Sequence, residues 1–212
     1  MIDLIELLDG VTNMRLDNEL LSKAEGGHVE CRIYGWDGVW ISVGRFESPE
    51  RDLVDPSRVR WVRRPTGGKA VLHGHDVTVS YAIPLDGLGI SERRSIRTVY
   101  RAGVGPLVGA LRFCGVDAVL GADSAFGGRG QKSGDCFAFS SPNDILDATT
   151  GLKICGCALR MTETAMLLQA SIPYGPPLVD PASVIVNAES RTVMMWNASS
   201  FETAVRAALG VS

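Results

Sequence analysis

The sequence predicts an α+β fold, α/β in the broad sense, with a mixed, largely antiparallel sheet flanked by helices. Three observations carry this expectation. Strand-like stretches fall into two clusters, one before residue 84 and one after residue 115. Helix-like stretches are few, at residues 12–27, 91–115 and 199–210. The two kinds do not alternate in the strand–helix–strand rhythm of a parallel sheet.

Each element has its own justification. "TNMRLDNELLSKAEGG" (12–27) reads as a short amphipathic helix. Thr12 or Asn13 can cap it, Met14, Leu20, Leu21 and Ala24 form an apolar stripe, and Gly26-Gly27 stop it. "VECRIYGW" (29–36) and "VWISVGRF" (39–46) alternate like strands around Asp37-Gly38, a strong hairpin signal. "VRWVRRP" (59–65) predicts a strand leading into a glycine loop, and "DVTVSYAI" (76–83) a strand beyond it. On that second strand Thr78 and Ser80 face away from Val77, Val79 and Tyr81.

Residues 91–115 read as a helix capped by Ser91 and stopped by Gly115, kinked or split around Gly103, Gly105 and Pro106. "VDAVLGA" (116–122) is a strand, and "FGGRGQKSGD" (126–135) a glycine-rich polar loop. Short strands are expected at 136–140, 144–148, 152–160 and 165–172. "YGPPLVDPAS" (174–183) cannot be regular, and 184–187 can pair with 191–196. "SSFETAVRAALG" (199–210) closes the chain as a helix, with Ser199-x-x-Glu202 as a capping box and Gly210 as its end.

The 212 residues suit one domain. With 45% hydrophobic and 21% charged residues the chain can fill a core. A net charge of -3 gives no sign of a nucleic-acid surface, although a local basic patch can still dock an acidic protein. No apolar run is long enough to span a bilayer, and Asp3, Glu6 and Asp9 argue against a signal peptide. Five cysteines without scaffold spacing point to a reduced, cytoplasmic protein. The Cys155-x-Cys157 pair has no histidine nearby in sequence, so no metal site is expected.

The stretch richest in chemistry is "RRPTGGKAVLH" (63–73). Gly67 and Gly68 lack Cβ atoms, so the backbone can come close to a ligand and φ can be positive. Arg63 and Arg64 are adjacent on a strand and point to opposite faces, so at most one serves a pocket. The bland alternative is a tight connection with two solvated arginines, because short glycine motifs recur by chance.

Four stretches, in order, resemble the lipoate–protein ligase, octanoyltransferase and biotin–protein ligase superfamily. They are "NMRLDNELL" (13–21), "CRIYGWDGVWISVGRFE" (31–47), "RRPTGGKAVLHGHDVTVSYAI" (63–83) and "DCFAFSSPNDILDATTGLKICGCALR" (135–160). The resemblance is closest to the cysteine-type octanoyltransferase and lipoate–protein ligase branch. It implies a single lipoate/biotin ligase-type catalytic domain over residues 1–212, without a C-terminal accessory domain. It also implies acyl transfer onto a lysine of a small lipoyl domain.

The resemblance assigns roles residue by residue. Cys136 matches a nucleophile, and Lys153, between Gly151 and Gly156, matches the family's ammonium near the acyl carbonyl. A thiol beside an ammonium ionises more readily, and a lysine desolvated on an apolar strand can act as a general base. Arg64, Gly67, Gly68, Lys69, His73, Gly156 and Ala158 are the expected substrate-binding residues, His73 through loop geometry. Tyr34, Trp36, Val71, Val79, Ala158 and Leu168 are expected walls of an apolar slot. His75 has no match and is expected at the surface. Cys155 and Cys157 share a strand face with Lys153 as lesser rivals of Cys136, while Cys31 and Cys114 read as core residues.

Three departures stand out. Glu47 replaces the usual glutamine, Lys69 replaces the ligases' third glycine, and Gln169 stands near a frequent histidine. Lys69 would crowd a nucleotide, which favours transfer without a cofactor over a ligase that needs ATP and Mg. The expected donor is an octanoyl-acyl carrier protein, or free lipoate for a ligase. The expected acceptor is a lipoyl domain or the glycine-cleavage carrier protein. A biotin–protein ligase fits less well, because its adenylate loop belongs where "RRPTGGKAVLH" stands. A non-catalytic acyl-binding relative is the remaining alternative.

Overall fold

The computed structural model describes residues 6–90, 95–130, 133–188, 193, 196, 198 and 200–211. Ser91, Ser199 and most of 191–196, which carry three of the expectations above, lie outside these residues.

Chain order begins with strand β1 (Leu7–Leu8), helix α1 (Gly10–Glu25), β2 (Glu30–Trp36), β3 (Trp40–Val43) and the short α2 (Pro49–Asp52). β4 (Trp61–Arg63), β5 (Val71–His73), β6 (Asp76–Pro84), α3 (Ile96–Phe113) and β7 (Ala118–Leu120) follow. The rest is β8 (Arg129–Gly130), β9 (Phe139–Ser140), β10 (Ile145–Asp147), β11 (Lys153–Met161), β12 (Ala165–Pro173) and α4 (Phe201–Leu209).

A seven-stranded sheet runs β1-β2-β6-β12-β11-β10-β7, with a three-stranded sheet β4-β3-β5 and a ribbon β8-β9 beside it. Among the strand pairs of the described residues, β1–β2 and β3–β4 are parallel and the rest antiparallel, so the mixed, largely antiparallel fold is as expected. No helix among the described residues is long and apolar enough to cross a membrane.

The large sheet has two unlike faces. Val77, Val79, Tyr81, Met166, Leu168 and Ile172 pack with Val99, Val104, Leu107 and Leu111 of α3 and with α4. On the other face Leu20, Leu21 and Ala24 of α1 meet Ala82, Ala165 and Leu167. Strand alternation therefore sends Thr78, Ser80, Gln169 and Ser171 toward the α1 side. There Asp17, fully buried, accepts from Arg32 Nη1 at 2.8 Å, Tyr34 Oη at 2.6 Å, Ser80 Oγ at 2.7 Å and Gln169 Nε2 at 2.6 Å. A buried carboxylate is tolerated only with such partners.

Several elements depart from expectation. The α1 cap is Asp9, whose carboxylate accepts from Thr12 N at 3.0 Å; Thr12 and Asn13 lie inside the helix. Asp37-Gly38 does not close a hairpin: β2 belongs to the large sheet and β3 to the small one, so the turn is a corner between sheets. Gly38 takes φ 92°, and Arg60 bonds the corner through Asp37 O at 2.9 Å.

α3 starts at its cap Ser95 and runs unbroken through Pro106. Its close seat on the sheet holds it there: a Cβ on Gly103 would stand 3.1 Å from Met166 Sδ, and Tyr81 Oη donates to Gly103 O. Residues 136–138 form a 3-10 turn, not a strand. Of 184–187, Ile185 alone bridges, and its partner is Leu53. β5, inside the glycine stretch, had no periodic signal because it is three residues long.

Candidate active site

The small sheet and the α1 face of the large sheet enclose the site. At the end of β4 the two arginines separate as expected. Arg63 is exposed and bonds loop carbonyls, including Glu47 O at 2.7 Å. Arg64 is buried, and its guanidinium bonds Gly67 O at 2.6 Å, Lys69 O at 2.7 Å, and Ser42 O and Oγ at 2.8 and 3.1 Å. Five donors in a planar fork suit this convergence of oxygens. Arg64 thus shapes the glycine loop from inside.

The two loop glycines differ. Gly68 has φ 88°, and a Cβ there would stand 2.9 Å from Arg64 Nη2. Gly67 has neither a positive φ nor any atom within 4 Å of a Cβ position, so the steric need expected of it is absent. The glycine missed is Gly44 on the neighbouring strand end, where a Cβ would lie 1.9 Å from Gly68 O. The S-x-G spacing of "ISVGRF" carries that signal.

The loop is stitched to the segment bearing Cys136. Ala70 N donates to Gly134 O at 2.8 Å, and Cys136 N to Ala70 O at 2.8 Å. Asp135 accepts from Phe137 N at 3.0 Å and fixes the turn. Lys153, at the start of β11, reaches this turn. Its ammonium bonds Cys136 O at 2.7 Å, Phe139 O at 3.2 Å and Cys136 Sγ at 3.5 Å.

Asp144, which sequence reasoning did not select, completes the pairing. Its Oδ2 lies 2.8 Å from Lys153 Nζ, with both side chains buried. It also accepts from Ser141 N at 2.7 Å and Cys157 N at 3.3 Å. Its only sequence signal was its place in "PNDIL", at the start of the strand expected at 144–148.

These charges overturn the expectation that desolvation lowers the Lys153 pKa, and burial outweighs the help that Lys153 gives Cys136. Burial works to lower the Lys153 pKa, but Cys136 and Asp144 outweigh it, and the net direction is up. Lys153 therefore stays an ammonium and is unsuited to act as a base. For Cys136, burial pushes the thiol up more strongly than Lys153 and Arg64 pull it down, with Asp144 adding to the rise. Burial there works against the thiolate that the Lys153 ammonium favours.

Two cavities meet at Cys136 and Cys157. One is a slot of about 30 Å³ between the sheets, lined by Tyr34, Trp36, Arg64, Val71, His73, Gly156, Ala158 and Gln169 among others. The other is an open cleft of about 700 Å³ that includes Gly68, Lys69, Asp144 and Lys153. Of the expected slot walls, Tyr34, Trp36, Val71 and Ala158 are present. Val79 and Leu168 are not; alternation turns them to the opposite face, against α3.

His73 is held on both ring nitrogens, with Nε2 2.8 Å from Ser42 Oγ and Nδ1 2.8 Å from Asp76 Oδ2. It also stacks on Trp36 at 3.9 Å between centroids. Burial alone would raise the Asp76 pKa, but attraction to His73, the His73 hydrogen bond, attraction to His75 and the Ser171 hydrogen bond bring it to about 2. Gln169 joins Thr66 Oγ1 at 2.5 Å to the Asp17 cluster.

His75, expected at the surface, is buried. Cys155 is buried in the α3-side core, 3.5 Å from Cys157 Sγ, and does not line either cavity. Cys31 and Cys114 pack against that core as expected, and burial pushes the Cys31 thiol up to about 12.

The sequence model for the lipoyl protein ligase A/B catalytic domain matches residues 9–208. The chain belongs to this family. Within the lipoyl protein ligase A/B family, it is 28% identical to octanoyltransferase LipM of Anoxybacillus flavithermus over 170 residues, 76% of this chain and 60% of the relative. Octanoyltransferase LipM of an Exiguobacterium species is 32% identical over 171 residues, again 76% and 60%. The chain thus spans about 60% of the length of these curated relatives.

Among solved structures, a bi-partite lipoate protein ligase of Thermoplasma acidophilum superposes with a TM-score of 0.67 at 20% identity, covering 99% of this chain and 86% of that one. A lipoate-protein ligase A bound with ATP gives 0.64 at 24%, covering 99% and 83%. These likenesses establish the family's fold for this chain.

Proposed function

We propose that this domain transfers an octanoyl group from an acyl-carrier thioester, through a thioester on Cys136, to a lysine of a lipoyl domain. The observation that carries the reading is the 3.5 Å approach of Lys153 Nζ to Cys136 Sγ where the apolar slot meets the open cleft. The slot suits an acyl chain and the cleft admits a carrier arm or a lysine side chain. The LipM relatives, named octanoyltransferases, support the same reaction class.

In the first half, the Cys136 sulfur attacks the donor carbonyl and gives up its proton. The carrier thiolate leaves and takes up one proton, so charge and atoms balance. In the second half, a neutral acceptor amine attacks the Cys136 thioester. The amide forms, the Cys136 sulfur leaves, and the amine's surplus proton returns to it. Lys153 is the ammonium that stabilises the sulfur anion in both halves, held in that state by Asp144. Because one thioester replaces another, the first half needs no external energy source. Lys69, bridged to Glu47 at 2.8 Å beside the cleft, occupies the loop position where ligases have glycine. This supports transfer without ATP.

The test is a reconstitution with an octanoyl-carrier thioester and a lipoyl domain, with and without ATP. The reading predicts an octanoylated domain in both. Modification only with free lipoate and ATP would replace it with an adenylate-forming ligase.

A further inference from the structure

The slot as it stands is too small for the chain it is read to hold. At about 30 Å³ it accommodates a water or two, not eight carbons. Something in its wall must move, and the wall allows little.

Tyr34 is tied by its hydroxyl to Asp17 at 2.6 Å. Trp36 donates Nε1 to Thr78 Oγ1 at 2.9 Å and is stacked on His73, which is itself bonded at both nitrogens. Arg64 has its donors on loop carbonyls and Ser42, and Gln169 spans Thr66 and Asp17. Most of the remaining lining is glycine, alanine, valine or cysteine, too short to clear a path.

Met14 is different. It projects from α1 into the cluster of Tyr34, Trp36 and Trp40, lines the slot, and is buried. Among the described residues, the polar contact of its side chain is a 3.5 Å approach of Gln169 Nε2 to the sulfur. A thioether is a weak acceptor, and an unbranched side chain with three rotatable bonds adapts readily. It sits among the residues of β2 and β12, while Cys136 sits beside Ala70 and Lys153.

We infer that Met14 is the movable plug at the far end of the slot and sets the length of acyl chain accepted, an inference that rests on the acyl-transfer reading above. Rotation of its side chain opens space next to Tyr34 and Trp36, and the chain end stops where that space ends. The hydrogen-bonded walls hold the width constant, so selection falls on length.

The test uses N-acetylcysteamine thioesters from butyryl to dodecanoyl, with acylation of the protein followed by intact mass. Ratios between chain lengths are compared within each variant, and thermal melts report folding. Met14→Ala is expected to raise the dodecanoyl-to-octanoyl ratio by about tenfold, and Met14→Phe to lower the octanoyl-to-butyryl ratio by a similar factor, a pocket's usual discrimination for a few methylenes. Wild-type ratios in both variants would overturn the inference while leaving the acyl-transfer reading intact. A wild-type protein acylated by no thioester would overturn both.

Discussion

Asp144 Oδ2 stands 2.8 Å from Lys153 Nζ, and the two side chains are 3% and 4% exposed. This buried pair fixes the charge state of the site. Removing one member strands the other, which typically destabilises by about 3 to 5 kcal/mol. Lys153→Ala is therefore expected to lose acyl transfer by about 100-fold or more, the usual cost of removing a charge-stabilising donor, and to unfold at lower denaturant. Adding Asp144→Asn should recover stability without activity. Urea titrations of the single and double variants, beside transfer assays, separate the two effects.

The Cys136 thiol is pushed up by burial, pulled down by Lys153 and pushed up again by Asp144. Its alkylation by iodoacetamide should keep accelerating as pH rises past 9.0, the ordinary thiol value. Lys153→Met should move the profile to higher pH and Asp144→Asn to lower pH. Rate against pH for the three proteins checks both signs, and a plateau below the ordinary value in wild type would contradict the first.

Gly44 and Gly67 should respond oppositely to alanine. A Cβ on Gly44 collides with the Gly68 carbonyl, backbone against backbone. Gly44→Ala is expected to destabilise by about 3 kcal/mol and to displace the loop. Gly67→Ala meets nothing within 4 Å and should change stability by less than about 1 kcal/mol. Thermal melts of the two variants make the comparison.

Asp76 falls from 3.8 to about 2 in the folded protein. A depressed carboxyl stabilises above its unfolded value and loses that stabilisation as pH falls through its folded value. The stabilisation, about 2 kcal/mol at 1.36 kcal/mol per pH unit, should therefore disappear between about pH 4 and pH 2. Unfolding free energies of wild type and Asp76→Asn across that window should converge at the acid end.

The division between Arg63 and Arg64 was legible because strand alternation is local, whereas Cys136, Lys153 and the glycine loop stood out through their resemblance to the family's motifs. What was not legible depends on tertiary pairing. Glu47 and Lys69 looked like two separate departures from the family pattern, yet their side chains meet at 2.8 Å. Asp144 reads as the first residue of an expected strand, and only the pairing of β10 with β11 shows it beside Lys153. The Asp37-Gly38 corner has the local chemistry of a hairpin, and only the partition of β2 and β3 between sheets shows otherwise. The direction of the Lys153 pKa was misjudged for the same reason, since desolvation is visible in an apolar strand and its counter-charge is not.

On the proposed function, the Cys136 sulfur carries the acyl group. The most direct measurement is the intact mass of the protein after incubation with an octanoyl-carrier thioester and no acceptor. The expected result is a gain of one octanoyl group, labile to hydroxylamine and absent from Cys136→Ser. An unchanged wild-type mass, or the same labile gain in Cys136→Ser, would contradict it.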